Sequence, residues 1–194
     1  MRNTAGTAPT TVVGSLRHVA REGTPMRWCA LGIGLVTAAW VALTVRPTVA
    51  SVVFGVALVS MIGAAAIDVV EQRLPDLLTI GIAAFGLAAL PVITWATGSG
   101  SAWRAIAGGA IFGGWVLIGT LALRGAFGLG DVKLSAACGI YAAWLSWPAL
   151  AVAILSSQVV ITGTQIYGRL RGQDRVPLGP AFVVGLLTAA LLRA

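Results

Sequence analysis

Acidic residues are scarce in this chain: six Asp and Glu among 194 residues, against thirteen Lys and Arg. Charged residues make up 10% of the sequence and apolar ones 58%, where a soluble domain carries about 25% charge and roughly 45–50% apolar residues. So little charge cannot cover the surface of a water-soluble globule. A soluble enzyme and a disordered chain are thereby excluded. The one histidine, His18, lies in the polar N-terminal stretch, which removes any metal or haem site built on imidazoles. Cys29 and Cys138 stand alone inside apolar runs with no CxxC spacing, so neither a disulfide framework nor a zinc site has support. No cofactor is expected. The net charge of +7 and pI near 11.1 would suggest nucleic acid in a soluble chain. Here the basic residues are spread through short loops between apolar runs, which makes the lipid bilayer the expected partner and nucleic acid an unexpected one.

What the chain does have is apolar segments, with a mean hydropathy of +0.92. Seven are read: Trp28–Val45, Val49–Ile67, Leu77–Ala96, Trp103–Leu123, Val132–Trp147, Ala149–Tyr167 and Pro177–Leu192. A membrane-crossing helix takes about 20 residues, and the fifth and seventh segments fall short of that. The expected fold is an all-α, polytopic membrane helix bundle of about seven transmembrane helices. Its organisation reads as a polar tail over 1–27, an extra helix and loop over 28–48, and a membrane domain over 49–194.

Orientation follows from the loop cations. With the N-terminus cytoplasmic, that side receives Arg2, Arg17, Arg21, Arg27, Arg73, Arg124, Lys133, Arg169, Arg171 and Arg175, and the other side Arg46, Arg104 and Arg193. Small residues such as Gly109/Gly113 and Gly81/Ala84 let helix backbones approach where no hydrophobic effect drives association. They are expected to serve packing alone.

The acids carry the chemistry. Glu22 is in the tail and Asp174 sits among arginines, leaving Asp68, Glu71, Asp76 and Asp131, all on the cytoplasmic side of this topology. Asp68 follows Gly63-Ala64-Ala65-Ala66-Ile67 at the mouth of the second segment. A charge there is costly, on the order of 2.5–3.5 kcal/mol at the bilayer centre and less near the interface, so intramembrane acids are usually functional. Asp131 stands in Gly128-Leu129-Gly130-Asp131-Val132-Lys133-Leu134. An Asp at a helix start can simply be a cap, but two glycines within three residues suggest positive φ or a close approach by another group. Asp68 and Asp131 therefore share one membrane level on different helices. Two adjacent carboxylates cannot both ionise easily; one can act as general base on water while the other, protonated, polarises a carbonyl.

These residues resemble a known family. Asp68 followed by Val-Val-Glu-Gln-Arg and then Leu74-Pro75-Asp76-Leu77-Leu78-Thr79 is similar to the first signature of type IV prepilin peptidases. Gly128-Leu129-Gly130-Asp131-Val132-Lys133-Leu134, with Gly139 five residues on, resembles their GxGD signature. Pro177-Leu178-Gly179-Pro180 is similar to a third, weaker landmark.

The resemblance implies an intramembrane aspartic peptidase of the inner membrane, its active site facing the cytoplasm, that removes the short basic leader from prepilins or pilin-like proteins. Asp68 and Asp131 take the positions of the catalytic pair. Leu74, Pro75, Asp76, Gly128, Gly130 and Lys133 support the two motifs, with Asp76 at a recurring non-catalytic position. Lys133 is read either as stabilising an ionised member of the pair or as an interfacial topology charge. Glu71 and Asp76 are read either as holding the leader's basic residues or as solvated loop charges. The absence of CxxC motifs points to the short form without the methyltransferase domain. The rival reading is a proton- or cation-coupled transporter using the same carboxylates, though neither internal repeats nor broken midplane helices are evident. A non-catalytic membrane subunit, its aspartates only capping helices, is a third.

Overall fold

The computed structural model describes residues 13–14, 32, 34–36, 39–40, 48–72, 74–122, 128–172 and 176–192. Most of the expected tail over 1–27 and most of the first segment, Trp28–Val45, lie outside the described residues. So do Arg73, Arg124, Asp174, Arg175 and Arg193. Six helices are bounded among the described residues: α1 Thr48–Glu71, α2 Asp76–Thr97, α3 Ala102–Ala122, α4 Leu129–Leu145, α5 Trp147–Leu170 and α6 Gly179–Leu192. No strand occurs among them. The protein is an all-helical membrane bundle.

Local chemistry sets the helix ends. Gly98 closes α2 in the left-handed region at φ 67°, its N–H donating to Thr94 O, a conformation glycine adopts without a Cβ penalty. The apolar run from Val132 through Tyr167 is cut by one residue. Ser146 ends α4, and its hydroxyl accepts from Ala149 N at 3.1 Å, with Pro148 in the first turn of α5. The sequence reading carried α4 to Trp147 and began α5 at Ala149. A serine cap in extended backbone breaks the helix two residues earlier.

Four helices, α1, α2, α3 and α5, are long and apolar enough to cross a membrane. The other two are shorter, α4 with 17 residues and α6 with 14. At about 1.5 Å per residue α6 spans roughly 21 Å, less than the ~30 Å hydrocarbon core. Both are inner helices. α4 packs against α2, α3, α5 and α6, while α1 packs against α2 and α6, and α4 carries the fully buried Tyr141 and Trp144. Phe54 of α1 meets both rings, at 5.4 and 5.8 Å between centroids. Tyr141 donates its hydroxyl to Ile82 O, and Trp144 Nε1 donates to Thr94 Oγ1. Those two bonds fix α4 to α2 along its length.

The closest approach is between α3 and α4. A Cβ at Gly108 would collide with Ala143 Cβ and Gly139 O, and one at Gly113 would stand 2.8 Å from Ala136 Cβ. The small residues expected to serve packing do so here. The expectation fails for Gly81, where a Cβ would meet nothing within 4 Å; on α2 it is Gly86 that lies against a neighbour, Tyr141.

Candidate active site

The end of α1, the start of α2, the first turn of α4 and the first residue of α6 meet at one end of the bundle, where Gly179 N reaches Asp68, Lys133 pairs with Asp76 and Leu74 lies against Gly130. α1 continues through Glu71, so Asp68 is not beyond the helix mouth but one turn inside it, 6% exposed. Its backbone carbonyl accepts from Gln72 N at 2.9 Å, and Gln72 turns the chain at φ 51°. α4 likewise begins earlier than expected, at Leu129, which puts Asp131 in its first turn and 8% exposed. The first residue of α6 meets Asp68 one turn before the end of α1, and both acids are buried at this end of the bundle.

Each carboxylate is held by a main-chain amide. Asp131 Oδ2 accepts from Gly128 N at 2.9 Å, the reach-back expected of an acid at the third position of a helix. The capping reading of Asp131 is therefore correct as far as this oxygen goes. Asp68 Oδ2 accepts from Gly179 N at 2.7 Å, with a further contribution from the Leu178 amide. Gly179 is the first residue of α6, Pro180 after it has no N–H, and Ala181 N donates to Leu178 O. The first amide of α6, without a partner inside the helix, is thereby taken up by one acid, as a helix start favours an anion. Asp68 and Asp131 lie close enough to act on each other electrostatically.

Of the two uses expected of the glycines, positive φ is absent and close approach is found at one of them. Neither Gly128, at φ −80°, nor Gly130 has positive φ. Gly130 is needed for close approach, because a Cβ there would stand 2.7 Å from Leu74 Cβ. At Gly128 a Cβ would meet Asp131 Oδ2 at 3.5 Å and Gly130 N at 3.9 Å, both ordinary contacts. Leu74 thus rests on the turn that presents Asp131. Pro75 is the N-cap of α2 and not its first helical residue, its carbonyl accepting from Leu78 N and Thr79 N. Asp76 opens α2 and pairs with Lys133, Oδ1 to Nζ, at 2.6 Å. That contact answers two open readings: Lys133 faces Asp76, and Asp76 is already occupied by a cation. Glu71 is no freely solvated loop charge either, since its Oε1 is buried.

All eight predicted site residues therefore gather at one end of the bundle. Gly179 was missed as a site residue, although Pro177-Leu178-Gly179-Pro180 had been singled out as a motif. A Cβ on Gly179 would lie 3.1 Å from Asp68 Oδ2 and 3.2 Å from Ala65 Cα, so only glycine lets α6 come this near. Cys138 is buried beside Met61 Sδ and Phe182 O, deeper in the bundle. Among the described residues no three His, Cys, Asp or Glu side chains form a group able to hold a metal ion.

A model of the type IV leader peptidase family matches residues 55–166, more than half of the chain. The chain belongs to that family. The matched span holds both acids, the Leu74-Pro75-Asp76 turn and the whole of α4. Gly179 lies beyond it. No curated protein and no solved structure matches the chain. Family membership makes the protein a membrane peptidase.

Proposed function

We propose that this leader peptidase is an intramembrane aspartic endopeptidase in which Asp68 and Asp131 jointly activate one water. Its substrates are prepilins or pilin-like precursors, from which it removes the basic leader at the cytoplasmic face of the inner membrane. The observation that carries this reading is the pair of buried carboxylates from different helices at one bundle end, each with one oxygen on a backbone amide.

Peptide hydrolysis by such a pair needs one proton shared between two acids. The ionised carboxylate takes a proton from water as its oxygen attacks the scissile carbonyl. The protonated one donates a hydrogen bond to the carbonyl oxygen, and proton transfer to the nitrogen then releases the amine. The amides of Gly128 and Gly179 keep both carboxyl groups fixed in direction, so little reorganisation is needed at the reacting centre. The pair titrates as a unit.

The cytoplasmic placement rests on the ten-to-three distribution of loop cations read from the sequence, with Lys133, Arg169 and Arg171 at the bundle end that holds the acids and Arg104 at the other.

Co-expression with a candidate prepilin, followed by gel mobility of the precursor, is the test. Leader loss is expected with the natural chain. Asp68→Asn and Asp131→Asn should each stop it while the protein still accumulates in the membrane. Normal processing by either variant would refute the pair.

A further inference from the structure

Asp76 and Lys133 come from different motifs, 57 positions apart, and meet in an ion pair at the bundle end that holds the two acids. We infer that they are positioning residues: the pair and the Leu74 seat on Gly130 form a two-point clamp that keeps the helix bearing Asp68 in register with the helix bearing Asp131. This rests on the assignment of those two acids to hydrolysis.

The geometry supports the clamp at each point. α1 and α4 carry the acids on separate segments, and the short turn after α1 connects them spatially. In that turn Leu74 is apolar and touches the backbone of Gly130, one residue before Asp131. Two residues later Asp76 reaches Lys133, two residues after Asp131. The turn thus grips α4 on both sides of the acid in sequence, once by packing and once by charge. Residues two apart on a helix point in different directions, so Lys133 is directed away from Asp131 and its ammonium is taken up by Asp76. A direct role for Lys133 as the counter-charge of Asp131 fits this arrangement poorly. The side chains of the pair are 35% and 65% exposed, and ion pairs this open add little to fold stability. Their retention in a charge-poor chain calls for another reason, and alignment of two acids supplies one. Misplacement by about 1 Å at a reacting centre can cost about a hundredfold in rate.

The test is a charge-swap cycle in the purified full chain, reading kcat and KM on a detergent-solubilised prepilin beside thermal unfolding. Lys133→Asp and Asp76→Lys alone should each lower kcat by about tenfold or more, with KM and the unfolding temperature little changed. The double swap should recover most of the rate, and Lys133→Arg should keep it. If Lys133 served Asp131 directly, the double swap would place an anion near that acid and stay slow; a slow double swap overturns the clamp. So does a loss that appears only in KM. Should a single reversal fail to accumulate, Lys133→Met, which keeps the stem and drops the charge, gives the same reading. Wild-type rates for Lys133→Met and Asp76→Asn with Asp131→Asn inactive would refute the clamp alone. Full cleavage by Asp131→Asn would refute the acid pair itself, a separate result.

Discussion

The two glycines flanking Leu129 should respond very unequally to a single methyl group. At Gly130 a Cβ would stand 2.7 Å from Leu74 Cβ, where carbon atoms rest at about 3.5–4.0 Å. The gap to be opened is about 1 Å, and the atom in the way is a Cβ, fixed to the backbone, so no rotamer change relieves it. Either the turn after α1 lifts or the first turn of α4 retreats. Overpacking of this kind costs about 1–3 kcal/mol of stability, which a bundle can survive. An equal displacement between the acids is worth about a hundredfold in rate. At Gly128 the nearest neighbour is Asp131 Oδ2 at 3.5 Å, an ordinary contact, and φ of −80° suits alanine. The N–H that Asp131 accepts from is kept. Gly130→Ala should therefore lose most of its cleavage activity while still reaching the membrane, and Gly128→Ala should lose far less. Leu74→Ala should not rescue Gly130→Ala, because the offending Cβ remains; Leu74→Gly should. Leader removal from a prepilin, timed by gel and normalised to the amount of folded protein, decides it. Equal losses at the two glycines, or rescue by Leu74→Ala, would refute the close-approach account.

Two further outcomes follow from contacts elsewhere in the bundle. Gly179→Ala should lower the cleavage rate by pushing the start of α6 from Ala65 and stretching the amide contact to Asp68, with KM the less affected quantity in a kinetic assay. Arg104 donates to the carbonyls of Ala143, Trp144 and Leu145 at the C-terminal end of α4, and charged donors to such groups are worth about 1.5–3 kcal/mol; Arg104→Met should lower the unfolding temperature in detergent while cleavage per folded molecule holds.

Much of this arrangement was legible in the sequence. Composition gave the membrane class, because a charge-poor chain has no other way to satisfy its surface. The acid inventory was short enough to weigh residue by residue, and it led to Asp68 and Asp131. What stayed hidden was the depth of the acids. Hydropathy places a segment's edge where polar residues begin, so Asp68 read as lying past α1 and Asp131 as lying before α4. Backbone bonding overrode that, since the carbonyl of Asp68 and the amide at Gly128 draw both acids into helices. The use of the glycines was also hidden: the residue type states that something comes near, not what. Gly130 meets a side chain, Gly179 a helix and a carboxylate, and Gly81 nothing. The partner of Lys133 was invisible for a simpler reason, because 57 positions separate it from Asp76 and no local pattern links them.

The amide from Gly179 to Asp68 has a consequence for biogenesis. It joins positions 111 apart in sequence, and its donor belongs to α6. A nascent polypeptide threaded into the bilayer as far as α5 already holds both acids and every residue of the matched span, yet the first acid still lacks its amide from α6. The buried carboxylate of Asp68 is thus held in place only once α6 has been inserted, and a chain cut short after α5 should leave it unanchored.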